Sequence, residues 1–356
     1  MKQTLSVRTN RPMTGAKKLT EDDFLKLAVK QIEKKDCHGK LKIIPLAGDA
    51  SLRRYFRVQL GGVSRVLMLA KPFNQDSSDF LLVRQLLEEN KVPVPTLFGV
   101  SDKQGAIFLE DLGDATMLHA LENIKNKDEE MECYKTAVRV MLGIHQNVKP
   151  SMRRSKKIQG FSLAFDEQKL MWEVNFTMEN FFQKFLKRTI APKHEKIIQD
   201  SFVDICRELA KEPRVFTHRD FHSRNLMVVG VRGMITIDFQ DARMGLRQYD
   251  LASLLRDSYY QLDEASVYGL VDFYSDELKN NWDESLDKKN FVRLFDLMSV
   301  QRNFKAIGSF ASFYVDRGNP GYLRFIGNTF ENIRRNLFKF PEYRELRELL
   351  YYYYYF

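Results

Sequence analysis

The apolar positions of this chain change their period near residue 112. Before it they gather in short runs, LKIIPL (41–46), SLRRYFRVQL (51–60), SRVLMLA (64–70) and the start of GAIFLEDLGDATM (105–117). Runs of this length, rich in branched and aromatic residues and bounded by turn residues, predict β-strands. In the second run, alternation sets Leu52, Arg54, Phe56, Val58 and Leu60 on one face and Arg53, Tyr55, Arg57 and Gln59 on the other. A helix over about residues 21–36, opened by Thr20 as N-cap with acids following, precedes the strands. Beyond residue 112 apolar residues recur at helical spacing, near 128–148, 164–188, 194–210, 247–260, 265–279, 287–310 and 322–338. The pattern predicts an α+β protein: a basic, disordered tail over 1–20, a small and mainly β unit over 21–112, and a larger, mainly α unit over 113–356.

Composition agrees with this outline and removes several classes of function. With 356 residues, 44% hydrophobic and 29% charged, the chain is long enough for two lobes sharing a cleft. Its longest uncharged stretches, such as 92–101 and 306–315, fall short of the roughly 18 residues a membrane-spanning helix needs. The N-terminus lacks the apolar core of a secretory signal, so the cytoplasm is the expected compartment. Cys37, Cys133 and Cys206 are widely spaced and odd in number, which suits reduced packing residues better than disulfides or a metal site. The net charge of +9 is local: residues 1–20 and 149–157 each carry five cations and no acid, and removing these ten leaves about −1. No aromatic-interleaved basic stripe accompanies them, so a nucleic-acid partner is not expected, nor is an obligate protein partner evident.

The chemistry concentrates in HRDFHSRN (218–225), followed by ITIDFQDA with Asp238 closing an apolar run. Phosphoryl transfer asks the protein mainly to orient a hydroxyl, hold a metal and neutralise phosphate charge. Asp220 is placed to orient and deprotonate the hydroxyl. Asn225 and Asp238 offer hard oxygen ligands suited to magnesium on ATP. His218 is expected to brace the loop. RVFTH before the motif, and NLMVV and MITID after it, read as short strands that frame it.

On the nucleotide side, the small-residue turn AGDAS, which holds Gly48 and Ser51, can bring backbone N–H groups close to phosphates or can be a plain hairpin. Arg54 shares an apolar face, which suits either an anion ligand or an arginine snorkelling at the sheet end. In kinase-like folds the link between lobes runs where Glu110 to Leu112 stand, and its backbone meets the adenine edge; a strand end with capping acids has the same pattern. Only about ten residues separate Asp238 from YDLASLLRDSYY, a helix with Asp250 as its expected cap, and neither a GxGxxG loop nor an APE sequence occurs. A protein kinase is therefore not expected.

HRDFHSRNLM, IDFQDA, YDLASLLRD, GDASLRRYFRV, FLEDLGD and QRNFKAIGSF together resemble the aminoglycoside phosphotransferase superfamily over about residues 20–330, and more narrowly its N-acetylmuramate/N-acetylglucosamine anomeric kinase branch, which serves peptidoglycan recycling. The resemblance implies a protein-kinase-like two-lobe fold, ATP with Mg2+, and transfer of the γ-phosphate to the anomeric hydroxyl of an amino sugar. It implies Asp220 as base, Asn225 and Asp238 as metal ligands, and Ser51 with its neighbours as phosphate loop. MLAKP (68–72) departs from an acidic stretch usual in the branch, and its Lys71 is either a phosphate ligand paired with Glu88 or Glu89 or a surface lysine. For the acceptor, Trp172, Glu173, Asp257, Tyr259 and Arg302 are candidates, because sugars favour aromatic faces ringed by carboxylates; packing or capping is the competing role for each. Aminoglycoside or choline-like acceptors, or a nucleotide-binding regulator without turnover, are the alternatives. LLYYYYYF (349–356) is expected to pack as a helix end.

Overall fold

A computed structural model describes residues 41–46, 53–150 and 155–356, so the tail, the helix over 21–36 and the turn with Gly48 and Ser51 lie outside the described residues. The described residues divide into two compact units, one formed by those up to Phe73 with Thr96–Asp111 and the other by Asn74–Pro95 with those from Leu112 on.

In the first unit the four predicted runs, with β4 added from a segment the pattern did not single out, become an antiparallel sheet of β1 (Lys42–Leu46), β2 (Arg54–Leu60), β3 (Val63–Leu69), β4 (Leu97–Ser101) and β5 (Ala106–Glu110), ordered β1-β2-β3-β5-β4. Alternation in β2 holds: Phe56, Val58 and Leu60 are buried and pack with Leu67, Leu69, Ala106 and Phe108. Arg54 is exposed at the start of β2, its guanidinium 4.9 Å from the Phe56 ring centre, in the snorkelling position. On the opposite face Arg57 makes a bidentate pair with Asp111, 2.7 and 2.9 Å, which ties the middle of β2 to the residue after β5. Gly105 turns into β5 at φ 67°, and a Cβ there would stand 2.1 Å from the Ala70 carbonyl oxygen.

Residues 74–95, which the sequence pattern groups with the strands, pack with the second unit. Their helix, Asp79–Glu89, buries Phe80, Val83, Leu86 and Leu87, and Phe80 stacks on Phe239 at 5.2 Å. Arg84 donates to the Pro95 carbonyl (2.7 Å) and pairs with Glu88 (2.6 Å).

The second unit is built on the helix Lys288–Arg317, buried on nearly all sides from Leu294 to Ala311, as expected of a helix surrounded by others. Packed with it are Glu167–Thr177 with its π-helical continuation Met178–Phe185, Pro192–Ala210, Gln248–Leu255 and Ile326–Leu337. Gly308 permits one of these approaches: a Cβ there would lie 2.3 Å from the Thr177 hydroxyl oxygen and 2.7 Å from its Cα. The helix expected over 247–260 stops at Leu255, and 256–260 turn away so that Asp257 meets the 218–225 loop. The aromatic tail forms the helix Arg344–Tyr355, which buries Leu346, Leu350 and Tyr353; the Tyr353 hydroxyl accepts from the Ala191 N–H at 3.0 Å. Cys133 and Cys206 are free thiols, and burial raises the pKa of Cys133 to about 11.

Candidate active site

Two short ribbons frame the 218–225 loop: β6 (Val215–Thr217) pairs with β9 (Arg243–Gly245), and β7 (Leu226–Val228) pairs with β8 (Met234–Thr236). Strand ends of this kind give a functional loop a rigid base. Phe239, buried against Phe80, anchors the segment that carries Asp238.

Two buried carboxylates hold the loop. Asp250 accepts the main-chain N–H groups of His218 (2.7 Å) and Arg219 (2.9 Å). It is not a cap, as the sequence pattern suggests; the capping position is Arg247, and Asp250 sits fully buried inside the first turn. Its two bonds hold Arg219 at φ 82°, a left-handed conformation that costs free energy unless the surroundings enforce it. His145 approaches Asp250 at 3.1 Å through Nε2 and the Tyr274 hydroxyl at 2.8 Å through Nδ1. Burial lowers the His145 pKa, so a neutral ring donates from Nε2 to the carboxylate and accepts from Tyr274. The second carboxylate, Asp257, accepts the N–H and hydroxyl of Ser223 (3.0 and 2.6 Å) and the Tyr259 N–H (3.0 Å). Both of its oxygens are therefore engaged internally, which matches the packing role rather than the acceptor role. His218 is buried and donates from Nε2 to the Ile237 carbonyl at 3.0 Å, bracing the loop as expected.

Asp220 keeps 26% of its side chain exposed, and two cations flank it: Lys305 Nζ lies 3.3 Å from Oδ1 and Arg219 Nε 3.9 Å from Oδ2. Burial alone would raise its pKa. The charges of Lys305 and Arg219, with Arg302 behind them, overturn this and hold the carboxyl well below the usual range. Asn225 donates from Nδ2 to the Asp220 carbonyl at 2.9 Å, leaving Oδ1 as its acceptor atom. Asp238 is exposed, adopts φ 63° and accepts from Gln240 through one oxygen at 2.8 Å. The Ile237 N–H donates to the Asn225 carbonyl at 3.0 Å, so the backbones that carry Asn225 and Asp238 are adjacent.

The remaining candidates differ in place. Arg302 is buried and donates to the Ser253 hydroxyl at 2.9 Å. Glu173 is buried and accepts from Gln301 at 3.3 Å. Trp172 is 56% exposed, with Lys169 Nζ 3.7 Å from its ring centre and Phe176 stacked at 5.5 Å. Tyr259 meets the His222 ring edge-on at 5.2 Å and lies under the Arg224 guanidinium at 4.9 Å. In the first unit Lys71 is exposed and Glu110 closes β5 with its N–H donated to the Thr96 carbonyl; Leu112, half-buried, belongs to the second unit. Sequence reasoning missed Lys305 beside Asp220 and the loop-holding role of Asp250. The signal for Lys305 was present: it stands three residues after Arg302 in QRNFK, on the same helix face.

A family model described as the phosphotransferase enzyme family matches residues 42–285. A protein of Neisseria meningitidis named N-acetylmuramate/N-acetylglucosamine kinase is 31% identical over 308 residues, which cover 85% of this chain and 88% of that one. A protein of the same name from Pseudomonas aeruginosa is 32% identical over 321 residues, covering 87% and 88%. Among solved structures, an ethanolamine kinase of Plasmodium vivax aligns with TM-score 0.59 at 14% identity over 92% of this chain and 91% of that one. A choline kinase from Streptococcus pneumoniae aligns at 0.58 and 10% identity, over 88% and 99%. These likenesses bear out the protein-kinase-like fold, with its five-stranded first unit and helical second unit. The family match over more than half of the chain, with relatives at 31 and 32% identity spanning most of it, shows that this chain belongs to the phosphotransferase enzyme family.

Proposed function

We propose that the chain transfers the γ-phosphate of ATP to the anomeric hydroxyl of an amino sugar, N-acetylmuramate or N-acetylglucosamine. The observation that carries this reading is the carboxylate of Asp220, kept ionised by Lys305 at 3.3 Å and locked to Asn225 through its own carbonyl. In the reaction the sugar hydroxyl oxygen forms the new bond to the γ-phosphorus. The bond from that phosphorus to the oxygen bridging to the β-phosphate breaks, ADP leaves, and the hydroxyl proton passes to Asp220 and then to water. A carboxylate with so low a proton affinity is a weak base, so its larger contribution is to orient the hydroxyl; a loose transition state asks for little proton removal early on.

Magnesium fits the residues present. Asn225 Oδ1 and the second oxygen of Asp238 remain for a ligand, and among the described residues there is no cluster of three or more His, Cys, Asp or Glu that could hold a metal alone. Two protein oxygens completed by phosphates and water is the ordinary arrangement for this ion, which when bound neutralises phosphate charge. Gly48 and Ser51 for the phosphates follow from the family resemblance; Arg54 and Lys71 for the phosphates, with Glu110 and Leu112 for the adenine, belong to the same reading. A cytoplasmic location belongs to the same reading; among the described residues no helix is long and apolar enough to cross a membrane.

The test is ATP consumption with N-acetylmuramate, N-acetylglucosamine and an aminoglycoside, with phosphorus NMR of the product. An anomeric sugar phosphate is expected, and Asp220→Ala should lower turnover by roughly 10²–10⁴-fold while ATP still binds. Undiminished turnover in that variant would sink the mechanism.

A further inference from the structure

We infer that Lys169, Arg219 and Arg243 form a subsite for a carboxylate carried by the acceptor, the lactyl carboxylate of N-acetylmuramate; the inference rests on the amino-sugar kinase reading above. The three cations come from three elements. Lys169 lies on the helix Glu167–Thr177, Arg219 in the 218–225 loop beside Asp220, and Arg243 on β9. Lys305 brings a fourth positive charge within their reach.

The acids nearby do not match them. Asp220 is engaged by Lys305 and Arg219. Asp241 reaches Arg219 only at 3.6 Å and is 58% exposed. Glu173 is 1% exposed, directs Oε2 to Gln301, and stands 3.6 Å from Lys169 through Oε1. Several donors in this region are buried without a hydrogen-bond partner: Arg219 Nε, Arg243 Nε and the Tyr249 hydroxyl. Buried donors left unmade are costly, and finding them gathered beside a reacting carboxylate points to a ligand that completes them. Burial, then the charge of Arg219 and other cations against the pull of Glu173, lowers the pKa of both Lys169 and Arg243.

The chemistry selects the ligand. Aminoglycosides and choline-like alcohols are cations, and four positive charges around the acceptor side repel them. N-acetylglucosamine is neutral. N-acetylmuramate differs from it by a lactyl ether at C3, two ring carbons from the anomeric centre. A sugar whose anomeric hydroxyl meets Asp220 thus carries its carboxylate beside Arg219, the immediate neighbour of Asp220.

The experiment pairs an edit of the sugar with an edit of the protein. Wild-type enzyme is assayed for kcat/KM on N-acetylmuramate, its neutral methyl ester and N-acetylglucosamine, beside Lys169→Gln and Arg243→Gln. Charge-assisted pairing predicts that the ester loses about 10- to 100-fold against the free acid on wild type. Each variant should lose a similar factor on the acid alone, changing less than about twofold on N-acetylglucosamine and the ester, so that the two edits are not additive. Equal losses on all three substrates in a variant, or wild-type indifference to esterification, would overturn the subsite while leaving the kinase reading intact. The ester comparison needs no variant to fold. A wild-type enzyme that phosphorylates neither amino sugar would overturn the kinase reading itself, a separate outcome.

Discussion

The ammonium of Lys305 lies 3.3 Å from Asp220 Oδ1, across 85 residues of sequence, and with Arg219 it determines the ionisation of that carboxylate. An acid with a depressed pKa stays ionised at every pH above its unfolded value of about 3.9, so wild-type kcat/KM should show no acidic limb from Asp220 above that pH. Lys305→Met removes the leading attraction and leaves burial, which pushes the other way. The pKa of the Asp220 carboxyl should then rise by about 1–3 pH units, measured as its own titration profile by carbon NMR below pH 4. A profile unchanged by the substitution would mean that Lys305 does not govern Asp220.

Asp250 connects the helix Gln248–Leu255 to the reacting loop through two main-chain N–H bonds at a left-handed residue. Asp250→Asn keeps the shape but replaces one accepting oxygen by an NH2 group. That group faces an amide or the Nε2–H of His145, leaving a buried donor unmet. The expected cost is about 1–3 kcal/mol of stability, read by denaturant unfolding, with kcat falling more than the KM for ATP. Unchanged stability would show that the loop holds its conformation without this carboxylate.

Much of this is legible in the sequence. The period-2 runs gave the sheet because each strand buries one face, and Phe56, Val58 and Leu60 lie inside while Arg54 is exposed at the start of the strand. HRDFHSRN was legible because its chemistry is local: Asp220, Asn225 and Asp238 lie within 19 residues. What supports the loop was not legible, since it arrives from afar. Asp250 looks like a helix cap in sequence and Asp257 like a candidate sugar ligand, and only the chain turning after Leu255 reveals them as acceptors for the loop amides. Glu173, read as a sugar ligand from its neighbour Trp172, has one oxygen bonded to Gln301. Lys169 and Arg243 carried no motif and became visible only when three elements were brought together.

His222 gives the fold a sensitivity to acid. Burial, then the charge of Arg302, lowers its pKa to about 3, far below the roughly 6.5 of an unfolded histidine. Here the unfolded state binds the extra proton, so this contribution is complete above about pH 6.5 and is lost as pH falls from there toward 3. The loss is at most about 1.4 kcal/mol per pH unit, and His145, also lowered by burial, adds to it in the same direction. Melting temperatures at pH 7.5, 6 and 5 should decline in wild type and decline less steeply in His222→Gln. Identical slopes would show that His222 is protonated in the folded protein.

Gly308 lets the helix Lys288–Arg317 approach the helix Glu167–Thr177, and the two carry Arg302 and Lys305 on one side and Lys169, Trp172 and Glu173 on the other. Alanine raises helix propensity and by that effect alone would stabilise by about 1 kcal/mol. The new methyl, however, would stand 2.7 Å from the Thr177 Cα, an atom that cannot rotate away. It would also press on the Thr177 hydroxyl, which already donates to the Phe304 carbonyl at 2.9 Å. Overpacking of this kind costs about 1–3 kcal/mol, so the clash wins and Gly308→Ala should be destabilised overall. Because the helices must separate to admit the methyl, Lys305 shifts relative to Lys169, and kcat for the sugar should fall with it. Thr177→Ala removes the hydroxyl but not the Cα, so combining it with Gly308→Ala should restore only part of the stability, measured by denaturant unfolding. Full restoration would show that the hydroxyl alone sets the spacing, and a Gly308→Ala variant as stable as wild type would show that the contact is looser than these distances require.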